Sequence, residues 1–122
     1  IYGTGKQVRD VLHVEDLMAL YERAIDRIRD ARGHAFNIGG GAANTRSLIE
    51  FFDELERGHT LALRPSRAAE RPGDQKVYVS DNTKARELLG WEPEVRATEG
   101  IGSLVGWVRA NIPTIANLYR ND

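Results

Sequence analysis

An α/β layer with parallel strands is the fold the sequence predicts, on two observations. A β-branched run leads into an amphipathic helix, and the arrangement then recurs, so strand, loop and helix follow one another twice before residue 60. Apolar residues are 41% of the chain's 122 and charged residues 29%, a balance that supports one modest core and argues against disorder.

The elements justify themselves in order. VRDVLHV (8–14) has β-branched apolar residues and no breaker, and reads as a strand. In EDLMALYERAIDRI, Leu17, Tyr21, Ala24 and Ile28 fall at helical spacing, joined by Met18 and Ile25. Glu15 and Asp16 suit the positive end of that helix dipole, Arg29 and Arg32 its other end, and Gly33 is the stop. AFNIGGG (35–41) reads as a buried strand closing on a tight loop. Asn44 to Ser47 offers N-caps, Ser47 and Glu50 have capping-box spacing, and Leu48, Phe51, Phe52 and Leu55 give the next helix its apolar face as far as Gly58.

The second half has a different texture. LAL (61–63) and VYV (77–79) predict short strands around a proline- and arginine-containing loop, 64–75. Asp81 is the expected cap of a compact helix ended by Gly90. Thr98 is the expected cap of a last helix carrying Ile101, Leu104, Val105, Val108 and Ile112 on one face. Pro113 is its expected stop, with one more turn through Ile115, Leu118 and Tyr119.

Composition excludes several functions. With no cysteine, disulfides, thiolate metal sites and a cysteine nucleophile are ruled out, which suits a reducing cytoplasm. Lys and Arg number 17 against 18 Asp and Glu, so no basic excess recommends a nucleic-acid or anionic-membrane partner. No apolar run approaches the roughly 20 residues of a membrane span.

Most motif matches fail on their spacing. GTGK (3–6) departs from G-x-x-x-x-G-K-[ST]: one residue separates the glycines, Gln7 follows the lysine, and a strand comes next. Gly100, Gly102 and Gly106 imitate a dinucleotide fingerprint but lie within a helix, where close packing explains them better. GGG (39–41) lacks the G-x-G-x-x-G spacing and is better read as a βα turn. His13, His34 and His59 are scattered. Tyr2-x-x-x-Lys6 has the formal pattern of a catalytic pair, yet Gly3 and Gly5 oppose the single helix face that it needs. What remains is arginine. Arg9 begins a strand, and Arg71 opens RPGD, a turn that presents Arg71 and Asp74 together. A guanidinium grips a diphosphate through parallel charge-assisted bonds, and a carboxylate accepts from ribose hydroxyls. On the residues alone, a solvated charged loop accounts for 64–74 as well.

The order of the pieces adds a resemblance. GTGKQVRDVLHVEDL, FNIGGG-ANT-SLIE, RPGDQKVYVSDNTKARELLGWEP and the TEGI helix together resemble the extended short-chain dehydrogenase/reductase family of NAD-dependent nucleotide-sugar epimerases and dehydratases. The wording of GGG-ANT and RPGDQ-VYVSD is most similar to the CDP-paratose (CDP-tyvelose) 2-epimerase branch. The resemblance implies the C-terminal part of an extended SDR, an α/β chain without the N-terminal Rossmann core. Residues 1–58 would complete the Rossmann edge and supply the first substrate-lobe strand, and residues 59–122 the nucleotide-sugar-binding lobe. It also implies that Arg9 contacts the nucleotide diphosphate with Gln7 near the same loop, that Arg71 contacts the phosphates, and that Asp74 holds the ribose. Asp81 and Lys84 match a structural helix start.

The family's Gly-rich NAD loop and its Tyr-x-x-x-Lys pair lie upstream of the matched stretch. The expectation is therefore a chain with no catalytic residue, no metal and no cofactor of its own, NAD belonging to the intact parent. Its expected partner is a nucleotide diphosphate sugar, with no nucleic acid and no membrane, in the cytoplasm. The alternative is a non-catalytic module that self-associates as a homo-oligomer through apolar surface, with Met18, Tyr21, Phe51 and Phe52 as candidates.

Overall fold

The computed structural model describes residues 1–118, so the expectation for Tyr119 lies outside the described residues. Strand β1 (Val8–Asp10) is shorter than the predicted run. The chain leaves the sheet because His13 becomes the N-cap of helix α1 (Val14–Asp26), its imidazole Nδ1 accepting from the Glu15 N–H at 3.3 Å. The chain turns at Arg27 into the short helix α2 (Ile28–Ala31), and Gly33 follows at φ +78°, as expected of a helix stop.

Residues 35–38 do not form the predicted strand, because no strand among the described residues lies alongside them. Side chains satisfy this backbone instead. Lys84 Nζ donates to the Ala35 carbonyl at 2.9 Å and Ser80 Oγ to that of Ile38 at 3.1 Å, while Asn82 exchanges two bonds with Gly39 at 2.9 and 3.1 Å. GGG then leads through a 3₁₀ turn (Ala42–Asn44) into strand β2 (Thr45–Ser47).

β2 pairs antiparallel with β1, Arg9 opposite Arg46, which corrects the expected parallel layer. Among the described residues, parallel pairing is confined to two isolated bridges, Val8 with Val77 and Tyr2 with Ala68. VYV therefore contributes one bridge rather than a strand, and LAL contributes none. Helix α3 (Leu48–Asp53) opens with the predicted capping box: Ser47 Oγ accepts from the Glu50 N–H at 3.2 Å, and Glu50 Oε2 accepts from the Ser47 N–H at 2.7 Å. Bonds from the Ser47 backbone first and its hydroxyl second hold the Glu50 carboxyl below its usual range. A π-helical turn, Glu54–Gly58, continues α3.

Helix α4 (Thr83–Leu89) ends at Gly90 in the left-handed conformation, as predicted. Asp81 sits one residue before the formal cap, Asn82, but its Oδ1 takes the Thr83 N–H at 2.9 Å. Hydrogen bonds from Thr83, side chain then backbone, lower its carboxyl from the ordinary value. Helix α5 (Ala97–Leu118) departs twice from expectation. It runs through Pro113, and Asn44 rather than Thr98 caps it, with Oδ1 accepting from the Ala97 N–H at 2.9 Å.

The core is small. Leu20, Ala85, Leu89 and Trp91 are buried together, with Leu12, Leu17, Phe36 and Ile38 packed around them. On α5 the buried stripe is Ala97, Ile101 and Val105, so the predicted face is rotated: Leu104, Val108 and Ile112 are exposed. On α1, Leu20 points inward while Met18, Tyr21 and Ile25 are exposed, as is Ile28 at the start of α2.

Candidate functional site

The site is built where the first seven residues, β1, β2 and the RPGD turn meet. Gly3 and Gly5 adopt φ +62° and +74°, the left-handed region that suits glycine, and bend GTGK into a turn. The Gly5 carbonyl accepts from the Ile49 N–H at 3.0 Å and the Gln7 carbonyl from the Leu48 N–H at 3.2 Å, which ties this turn to the start of α3. Along an extended chain side chains alternate, so Gln7 and Arg9 project to one face and Asp10 to the other. Asp10 there bonds the Gly41 and Ser80 N–H groups through one oxygen, each at 3.0 Å.

The four predicted residues converge from two segments, Gln7 and Asp74 being 67 positions apart. Gln7 Nε2 donates to Asp74 Oδ2 at 3.1 Å and to the Tyr2 carbonyl at 3.0 Å. Arg9 Nη2 lies 3.5 Å from Asp74 Oδ1, a partly exposed pair of small energetic weight. Arg71 stacks over the Tyr2 ring, 3.9 Å from guanidinium carbon to ring centre. All four line one solvent-open cavity of about 1080 Å³, whose apolar wall includes Leu48, Phe51, Phe52, Ile101 and Trp107. Phe51 and Phe52 are thus half-buried wall residues, whereas Met18 and Tyr21 are exposed as the alternative reading expected.

Arg46 and Tyr2 are among the cavity residues that local sequence does not single out. Arg46 stands opposite Arg9, where like charges would repel, but each has its own carboxylate: Asp74 lies beside Arg9, and Glu54 holds Arg46 Nε at 3.0 Å. Only the strand register reveals this pairing. Tyr2 has the sequence spacing of a partner for Lys6, and that pairing fails: Lys6 is exposed across the glycine turn and its N–H bonds Thr4 Oγ1 at 3.3 Å.

Guanidiniums around an acceptor carboxylate and an amide suit a ligand bearing both an anionic group and hydroxyls. The GGG turn does not fit a dinucleotide cradle. A Cβ on Gly40 would lie 1.9 Å from the Val11 carbonyl oxygen, and one on Gly39 2.2 Å from Asp10 Oδ2. These glycines admit the chain's own groups rather than a pyrophosphate.

Residues 1–104 match the family described as GDP-mannose 4,6 dehydratase. The chain belongs to that family. It is thereby a member of the extended short-chain dehydrogenases/reductases, the group its motifs resembled. Among curated relatives of this dehydratase-family chain is a CDP-paratose 2-epimerase of Salmonella typhi, 42% identical over 107 residues, 88% of this chain and 32% of that protein. A UDP-glucose 4-epimerase of Thermotoga maritima, solved with UDP-glucose, superposes with a TM-score of 0.73 at 30% identity, covering 92% of this chain and 35% of that one. A Bacillus cereus UDP-glucuronic acid 4-epimerase, solved with UDP-glucuronic acid and NAD, reaches a TM-score of 0.79 at 24% identity over 90% of this chain and 34% of that one, and shows the shared fold. The family member described here spans about a third of the length of the curated relatives it matches.

Proposed function

We propose that this chain is the substrate-binding portion of an NAD-dependent nucleotide-sugar epimerase or dehydratase, gripping the substrate's diphosphate through Arg9 and Arg71. The observation that carries the reading is the convergence of Gln7, Arg9, Arg71 and Asp74 on one cavity. Two guanidiniums offer the anion parallel N–H donors. Asp74 accepts from ribose hydroxyls, and Gln7 holds that carboxylate in place. The apolar wall would exclude water from the glycosyl side. NAD supplies hydride chemistry in the intact parent, and the residues of this chain supply grip. Nothing in the Tyr2–Lys6 geometry provides a base for epimerisation by this chain alone.

Calorimetric titration with CDP- and UDP-sugars tests this. Arg9→Ala and Arg71→Ala should each weaken binding by about 10-fold or more, the weight of a charge-assisted hydrogen bond. Equal heats for wild type and both variants would remove the reading.

A second reading rests on its own observation. Val14, Met18, Tyr21, Ile25 and Ile28 form an exposed apolar stripe along α1 and α2, the surface expected of a self-associating module.

A further inference from the structure

We propose that Tyr2 is a positioning residue for Arg71, its ring holding the guanidinium flat so that the N–H edge remains free for an anion. The inference rests on the proposed diphosphate reading and assigns a task to a residue which that reading does not use.

Tyr2 is fastened to the far segment in three ways. Its backbone bridges Ala68: the Gly3 N–H donates to the Ala68 carbonyl at 3.0 Å, and the Ala68 N–H to the Ile1 carbonyl at 2.9 Å. The Tyr2 carbonyl takes one bond from Gln7 Nε2, which gives another to Asp74 at the end of the RPGD turn. The ring then meets Arg71 at that turn's other end, 3.9 Å away. The turn itself is closed by the Asp74 N–H on the Arg71 carbonyl at 3.2 Å, with Gly73 at φ +78°. Tyr2 thus meets one end of the turn directly and the other through Gln7.

The four cavity arginines differ in what orders them. Arg9 has Asp74 beside it and Arg46 has Glu54, whereas among the described residues neither Arg71 nor Arg96 forms an ion pair or a side-chain hydrogen bond, and Arg71 lies over the Tyr2 ring. Without the ring, an exposed arginine would lose its full rotamer freedom on meeting an anion. The proposed stack occupies only the face of the guanidinium. Its N–H donors lie in the plane, so orientation is fixed while bidentate capacity is untouched.

The test is calorimetry of the full chain with UDP and with CDP, alongside thermal melting. Tyr2→Phe should bind like wild type, because the ring and not the hydroxyl makes the contact. Tyr2→Leu should weaken binding about two- to five-fold, the scale of an exposed cation–π contact. In an Arg71→Ala background Tyr2→Leu should change nothing further. Arg71→Lys, which keeps the charge but lacks the planar stack, should weaken binding without any change at Tyr2. That variant keeps the question answerable if Tyr2→Leu fails to fold. Wild-type affinity in Tyr2→Leu or Arg71→Lys, with Arg71→Ala weakened, overturns this inference and leaves the diphosphate reading standing. Equal losses for Tyr2→Phe and Tyr2→Leu, or additive losses for Tyr2→Leu and Arg71→Ala, overturn it too. No effect of Arg71→Ala, or no binding by the wild type, overturns the diphosphate reading itself.

Discussion

Asp16 shows how much a single side chain can do unseen. It is buried, with Oδ1 accepting from the Glu94 N–H at 3.0 Å, Oδ2 from the Val95 N–H at 3.1 Å, and its carbonyl from Trp91 Nε1 at 2.8 Å. Sequence spacing placed it in the first turn of a helix, which is correct, and credited it with favouring the dipole. Its larger task is to fasten the turn after α4 to α1. Asp16→Ala would leave two backbone donors without their acceptor, at a cost of about 3 kcal/mol in unfolding free energy by urea denaturation. Asp16→Asn, which retains an acceptor, should lose less. An unchanged transition in Asp16→Ala would contradict this account. Asn44 repeats the lesson, bonding Val95 and Ala97 from 53 residues away in the latter case. Local spacing offered it as a cap for the nearer helix, since partners so distant leave no local signal.

At the scale of elements, local chemistry was read well and long-range pairing poorly. The Ser47–Glu50 box and the Gly90 stop are set by groups within four residues, and both formed as predicted. Thr98 was expected to cap α5 for the same kind of reason, but its hydroxyl accepts from Arg46 Nη2 at 2.9 Å inside the first turn. The helix glycines also divide by environment. A Cβ on Gly100 would come 2.9 Å from His13 Cδ2, so this glycine serves close packing of α5 against the α1 cap, whereas Gly106 has open space around it. Gly106→Ala should therefore stabilise the fold by about 0.5–1 kcal/mol through helix propensity, and Gly100→Ala should lose that gain by displacing His13. Thermal unfolding compares them directly. Equal gains in both variants would show that the contact carries no weight.

For the whole molecule, the buried set is short and the exposed apolar set is long. Val14, Met18, Tyr21 and Ile25 recur at helical spacing along one outer face of α1, beside the inward stripe that carries Leu20. Periodicity identified an amphipathic helix there, but apolar residues on two faces could not reveal which one the core would take. The expected consequence is association: the sedimentation coefficient should rise with protein concentration, and Met18→Lys/Ile25→Lys should abolish the rise. A concentration-independent monomer in the wild type would refute it.

By itself the sequence determined the family, the α/β class, most helix positions, and the four side chains that meet in the cavity. Residue types, caps and ordered motifs are properties of contiguous chain. Only the tertiary structure decided that β1 pairs antiparallel with β2, that side chains replace a ladder beside 35–38, and that Tyr2 and Arg46 join Arg9 and Arg71. Those outcomes depend on which segments approach across the fold. Hydrogen-bond register and packing select them, and local spacing does not record them.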